Sequence, residues 1–479
     1  MKQLYQKYKQ LPIQGRATIW YTICNILQRG ISIITIPAYT RILTEEQYGT
    51  YSTFLAWIEI FEIITTFRLA YGGFVVGLTK YEEDRDSYCS SMQCLSFTIT
   101  SIFLILYLGM APFINHLTKM TTTMTLLIFI LMYFMPAIQF WTARRRVEYR
   151  YTAVLIVTVV SSFLMPVLGI FAAVFSTDKA VAVVGARVFV QGLIGLVLVW
   201  VNCHKRFTFY HKEYWKRAIV FNLPLLPHYL STVVLHSSDR IIIKDIVGAK
   251  EAAIYSVANS AAMAMQLFGS SISQALQPWL FKKLKEKSYT GIGTIMNLSL
   301  VFVAGLNLVL IALAPEVVTI LGPSSYQEAI WIIPPLTASV VVMFFYQHFV
   351  NVEFFFEESR ITSVASIGSA VLNVILNFWL IPVFGYLAAG YTTLLSYSIF
   401  AVIHYVFMRV VCRKNNCPDN LFDIKRMLMI MFVFGILVIV MAIGYKITAL
   451  RFMVLGFLIL IAVWKRKQIL SFVRQFMKK

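Results

Sequence analysis

From residue 17 onward the chain alternates long apolar runs with short polar breaks. A helix of about 20 mostly apolar residues spans the roughly 30 Å of hydrocarbon in a bilayer. The pattern predicts fourteen such helices, near residues 17–39, 50–72, 89–110, 122–142, 151–175, 181–201, 218–240, 253–279, 290–313, 329–351, 362–381, 386–407, 427–445 and 448–464. The breaks carry their own signals. In "ITIPAYTRILTEEQYGTYS" (Ile34 to Ser52) an apolar run ends at Arg41, and Thr44 precedes Gln47 by three. That spacing lets Thr44 cap the Gln47 amide while Gln47 reaches back, so a second helix is predicted to start just after Thr44. Pro224 and Pro227 in "FNLPLLPHYL" fall inside the seventh span, where each removes a backbone donor and bends the helix.

The opening stretch occurs twice. "RILTEEQYGTYS" (Arg41 to Ser52) aligns without gaps on "DIVGAKEAAIYS" (Asp245 to Ser256). Gly248 stands where Thr44 stands, so only the first copy can make the reciprocal cap. "MPVLG" at Met165 to Gly169 is echoed by "IPVFG" at Ile381 to Gly385. Two echoes in one order predict two six-helix lobes, parallel because an even number of helices returns the chain to its starting side. Their polar helices are expected to line a cleft between the lobes, a common plan for transporters. The expected organisation is an N-terminal segment 1–16, an N-lobe 17–201, a linker 202–217, a C-lobe 218–410, two accessory helices within 411–464, and a basic tail 465–479. The fold class is thus all-α integral membrane.

Composition supports a lipid environment. Of 479 residues 59% are hydrophobic and 13% charged, with mean hydropathy +0.73, against about 25% charged in soluble domains. The net charge of +20 raises nucleic acid as a partner, but its placement argues for topology instead. Of 42 Lys and Arg, the outer loops hold Arg41, Lys119, Lys179, Lys244, Lys250, Lys446 and Arg451, and four more lie inside spans. The rest fall in segments on the other side, including 143–150 and 202–217. This imbalance places both termini in the cytoplasm of a multi-pass cell-membrane protein. Met1 is followed by a basic, tyrosine-rich start rather than a cleavable signal, so the first span is read as permanent. The six cysteines show no metal spacing, no P-loop pattern occurs, and no cofactor is expected.

The four cations inside spans are Arg29, Arg68, Arg187 and Arg240. A charge at the bilayer centre costs about 2.5–3.5 kcal/mol on insertion scales, so it usually faces a cavity or a partner. Arg29 shares a helical stripe with Asn25 and Gln28. In the seventh span His236 and Asp239 lie on one stripe with Arg240 beside it, and a local Asp239–Arg240 ion pair is one reading. Gln266 heads a polar stripe on the eighth span that continues through Ser270, Ser273, Gln274 and Gln277. Glu59 and Glu62 share a face of the second. The arginines with Asn25, Gln28 and Gln266 are the candidate anion-binding set. Glu59, Glu62, Asp239 and His236 are candidate ion-coupling groups.

The segments "IPAYTRILTEEQYGTYS", "SSDRIIIKDIVGAKEAAIYSVANSA" and "LNVILNFWLIPVFGYLAAGYTTLLSY", in this order, resemble the polysaccharide flippase family. This family belongs to the multidrug/oligosaccharidyl-lipid/polysaccharide exporter superfamily, and the resemblance spans residues 10–410 or so. It implies translocation of undecaprenyl-pyrophosphate-linked oligosaccharide between leaflets by alternating access. The lipid tail stays among the membrane lipids, H+ or Na+ supplies coupling, and polysaccharide polymerases are partners. Alternatives are a lipid II flippase, a cation-coupled multidrug exporter expected to bury more acid than Arg, and a glycan polymerase. The polymerase would need a larger outer loop than "APEVVTILGPSSYQE" (314–328). A non-enzymatic role is expected.

Overall fold

In the computed structural model, residues 13–418 and 420–464 are described. Residues 1–12 and the basic tail 465–479, both expected in the cytoplasm, lie outside them. Seventeen α-helices run through the described residues, which contain no strand. Ten segments are long and apolar enough to cross a membrane. The expected spans near 17–39, 50–72 and 253–279 are also helical but more polar, and that near 448–464 is shorter in its described apolar part. Apolar side chains such as Ile34 (75% exposed), Trp379 (72%) and Val383 (71%) face outward. In water such surface would aggregate; in lipid it is solvated.

The chain divides into two compact units, residues 1–233 and 234–479. Unit 1 contains α1 (Ile13–Ile42), α2 (Glu45–Thr66), α3 (Gly72–Lys80), α4 (Arg85–Thr118), α5 (Thr122–Val147), α6 (Tyr151–Phe175), α7 (Lys179–Cys203) and α8 (Lys212–Asn222). A 3-10 turn, Leu223–Leu225, leads into α9 (Leu226–Ile246), inside which the division falls. Pro224 lies in the 3-10 turn between α8 and α9, within one continuous helical segment, Lys212–Ile246.

The predicted cap is present. Thr44 Oγ1 accepts from the Gln47 amide at 3.3 Å, and Gln47 Oε1 accepts from the Thr44 amide at 3.1 Å. The expected span 50–72 is broken, because Phe67 and Arg68 adopt positive φ (51° and 48°) and end α2 before Gly72 starts α3. Within the unit α5 packs on α7, α7 on α6, and α6 on α1. The α5–α7 crossing is tight. A Cβ on Gly195 would sit 2.6 Å from the Phe134 carbonyl oxygen, so only glycine permits this approach.

Unit 2 holds the C-terminal part of α9 together with α10 (Ala249–Lys285), α11 (Ile292–Ala312), α12 (Ala314–Leu321), α13 (Ile333–Phe355), α14 (Ser359–Phe384), α15 (Ala388–Lys414), α16 (Ile424–Ile443) and α17 (Thr448–Trp464). Here α13 packs on α15, α15 on α14, and α10 on α13. Gly248 caps α10 with φ 151°, where a Cβ would come within 2.7 Å of Glu251 Oε2. Glycine is the residue that tolerates this backbone.

Candidate functional site

Unit 1 encloses a cavity of about 710 Å³, within the usual range for ligand sites of about 300–1,000 Å³. α1 contributes Gln28, the start of α3 contributes Tyr71 and Gly72, and α5 contributes Gln139, Thr142 and Arg146. Thr158 and Ser161 of α6 and Gln191 of α7 complete the polar wall. Glu62 is buried behind it, and Gln139 Nε2 donates to Glu62 Oε1 at 2.9 Å. The Gln191 Oε1 atom has no hydrogen-bond partner.

The cation at this cavity is Arg146, whose guanidinium stands 5.3 Å from the Tyr21 ring centroid. Its neighbours are engaged elsewhere. Arg144 pairs with Asp86 at 2.7 Å and Glu148 at 2.8 Å, and Arg145 pairs with Glu148 at 2.8 Å. Burial pushes the Glu148 carboxyl up, but the two arginines outweigh it and hold it below the usual carboxylate range. Three arginines in a row therefore divide their work, two to structure and one to the cavity.

The candidate arginines lie apart from one another. Arg29, on the same helix as Gln28, is exposed, as is Asn25, and neither lines the cavity. Arg68 sits at the α2–α3 break with its guanidinium 4.6 Å from the Tyr71 centroid and 5.3 Å from that of Tyr229. Arg187 is half-buried on α7, its Nε without a hydrogen-bond partner. Arg240 donates to Ser237 Oγ at 2.9 Å. Glu59 is exposed on α2.

Asp239 has a different setting from the one its neighbour suggested. It is 2% exposed, and its carboxylate is held by groups from three other helices. Tyr255 of α10 donates to Oδ2, Thr393 Oγ1 of α15 donates to Oδ2 at 2.9 Å, and Asn377 Nδ2 of α14 donates to Oδ1 at 2.6 Å. Asn377 is steadied by Asn373 and by the Thr392 hydroxyl. Beside the acid lies a small cavity of about 30 Å³ lined by His236, Asn259, Gln266 and Tyr397 among others, enough for about one water-sized occupant. His236 Nδ1 is 3.2 Å from the Tyr397 hydroxyl, and Gln266 Nε2 is 3.6 Å from Met343 Sδ.

The sequence reading missed Arg146 because it assigned residues 143–150 to a cytoplasmic segment. α5 continues to Val147, so Gln139, Thr142 and Arg146 share a face at helical spacing. That stripe was visible in "QFWTARRRV".

A sequence model of the family described as polysaccharide biosynthesis protein matches residues 15–284, more than half of the chain. The chain belongs to that family. Two solved structures share the fold of this polysaccharide biosynthesis protein. One, the lipid II flippase MurJ in an inward closed conformation, has a TM-score of 0.68 at 13% identity, covering 94% of this chain and 100% of its own. The other, an inward-facing multidrug resistance MATE family transporter of the MOP superfamily, has a TM-score of 0.64 at 13% identity, covering 80% and 94%. Comparison with curated proteins gave no match. The protein is a multi-pass membrane protein that shares its fold with these two structures.

Proposed function

We propose that this protein is a flippase that moves undecaprenyl-pyrophosphate-linked oligosaccharide repeat units across the cytoplasmic membrane. The observation that carries the reading is the unit 1 cavity: a large space of mixed apolar and polar lining inside a lipid-solvated bundle, with Arg146 on its wall and Gln28, Gln139 and Gln191 around it. A guanidinium suits a pyrophosphate, and amides suit the sugar that follows it. Arg29, Arg68 and Arg187 are then secondary cations met as the headgroup enters or leaves, and Arg240 is the corresponding cation of unit 2. The polyprenyl tail remains among the membrane lipids, and polymerases take the product on the far side. The protein makes and breaks no covalent bond in this scheme.

Coupling belongs at Asp239. A carboxylate this deeply buried, held by neutral donors, changes its surroundings sharply when it takes up a cation, H+ or Na+. Glu62, bonded to Gln139, is the second acid able to respond, and Glu59 and His236 sit within one helix turn of these two. Lipid II is the second reading, favoured by the fold shared with MurJ over 94% of the chain.

A deletion strain separates the readings. It should build complete lipid-linked repeat units, matching wild type in composition, and trap them in the inner leaflet while surface polymer disappears. Mass analysis of extracted lipid-linked sugars with lectin access gives both composition and sidedness. Units exposed on the outer leaflet would reject the assignment, and rescue of a lipid II flippase-depleted strain would favour lipid II.

A further inference from the structure

Unit 2 contains another cavity, of about 280 Å³, away from Asp239. By liquid volume it holds about nine waters, the size class of a single pyranose ring. One wall is the polar stripe of α10, where Ser270, Ser273, Gln274 and Gln277 follow helical spacing. α13 supplies Gln347 and Asn351 opposite, with the Asn351 amide tied to Gln277 at 3.2 Å and to Ser273 at 3.5 Å. Aromatic rings of Tyr346, Phe354 and Phe400 complete the lining with His404.

His404 is the informative member. It is fully buried, and its Nδ1 lies 2.9 Å from both oxygens of the equally buried Glu353. Its ring is stacked on Tyr346, with centroids 5.6 Å apart and planes 16° apart, and its Nε2 has no hydrogen-bond partner. No Lys, Arg, Asp or Glu is among the described lining residues, and the Glu353 carboxyl stands behind His404 against its Nδ1. A phosphate would find no cation here. A wholly apolar guest would leave the buried His404 Nε2 unpaired, which is costly. A hydroxyl both donates and accepts, so it satisfies Nε2 in either protonation state.

We propose that this cavity is a saccharide subsite. It holds one uncharged sugar ring, its hydroxyls bonded to Gln274, the α13 amides and His404, and its apolar face laid on the aromatic rings. The assignment rests on the flippase reading above and gives the sugar a place of its own, separate from the pyrophosphate.

The test uses the full chain in nanodiscs and two probes: lipid-linked repeat units extracted from the native host, and undecaprenyl pyrophosphate without sugar. Wild type should bind the sugar-bearing probe about tenfold more tightly than the bare carrier. Ser270→Phe, which fills the cavity, and Gln274→Ala should each erase most of that advantage while leaving affinity for the bare carrier within about twofold. Gln274 is exposed and makes no hydrogen bond among the described residues, so its truncation keeps the test open if Ser270→Phe fails to fold. Unchanged preference in Gln274→Ala and in a folded Ser270→Phe overturns the subsite, as does equal loss for both probes. Equal affinity of wild type for the two probes rejects the subsite and leaves the flippase reading standing, whereas binding of neither removes both.

Discussion

The duplicated segments put the two units in register, and the comparison isolates one difference. Aligning Arg41 on Asp245 places Thr35 at the position of Asp239 and Tyr51 at that of Tyr255; aligning Met165 on Ile381 places Ser161 at that of Asn377. In unit 2 these positions close on one another around a buried carboxylate. In unit 1 the same positions are hydroxyls or stand free of any acid. Thr35 bonds back to the Ile31 carbonyl at 2.7 Å, Tyr51 meets the edge of the Tyr39 ring, and Ser161 lines the large cavity. Matched positions therefore seal a charge in unit 2, while in unit 1 one of them, Ser161, stands on the wall of the large cavity.

The strongest way to break this contrast is at Asp239. Asp239→Asn should abolish export, by at least tenfold in a surface-polymer assay at normal protein level, whereas Thr35→Ala at the matching position should be near wild type. Equal effects would mean that the acid carries no special role. The unit 1 side is tested by Arg146→Ala, expected to weaken binding of bare undecaprenyl pyrophosphate by about 10–100-fold, as for loss of a charged hydrogen bond. Arg29→Ala, on an exposed part of α1, should cost less in the same titration.

The crossings offer a structural version of the comparison. Gly195→Ala drives a methyl into the Phe134 backbone and should lower stability by about 1–3 kcal/mol. The unit 2 crossing at Gly390 meets only the Pro335 and Ile332 side chains, at 3.0 and 3.4 Å, so Gly390→Ala should cost less in a thermal melt. Smallest is Glu148→Gln, expected to cost about 1 kcal/mol at neutral pH. Glu148 titrates lower folded than unfolded, so its stabilisation is complete above the ordinary glutamate value of about 4.3 and fades as pH falls below it. Melts of the two proteins should converge in acid.

How far the sequence disclosed this depends on how local each feature is. The helices and the Thr44–Gln47 cap were readable, because periodicity and a three-residue spacing are both local. Asp239 stood out as an acid in an apolar run, yet the adjacent Arg240 suggested a local ion pair. Its real partners, Tyr255, Asn377 and Thr393, lie 16, 138 and 154 positions away, and no pattern along one helix points to them. Arg146 was hidden by its own neighbours, since three consecutive arginines read as a topology signal. His404 and Glu353 reside in different apolar runs, 51 positions apart. Only packing brings them together.

The crossing at Gly195 also has a consequence for how the protein is made. The helices that meet there, α5 and α7, are not consecutive, because α6 lies between them in the chain. A ribosome delivers α5 and α6 to the membrane before residues 179–203 exist, leaving the groove beside Phe134 facing lipid or a temporary neighbour during that interval. Glycine at 195 leaves no side chain to snag as α7 slides in sideways. The seat of α5 is therefore completed late in synthesis, and a nascent chain arrested before residue 179 should be more protease-sensitive in α5 than one arrested after residue 203.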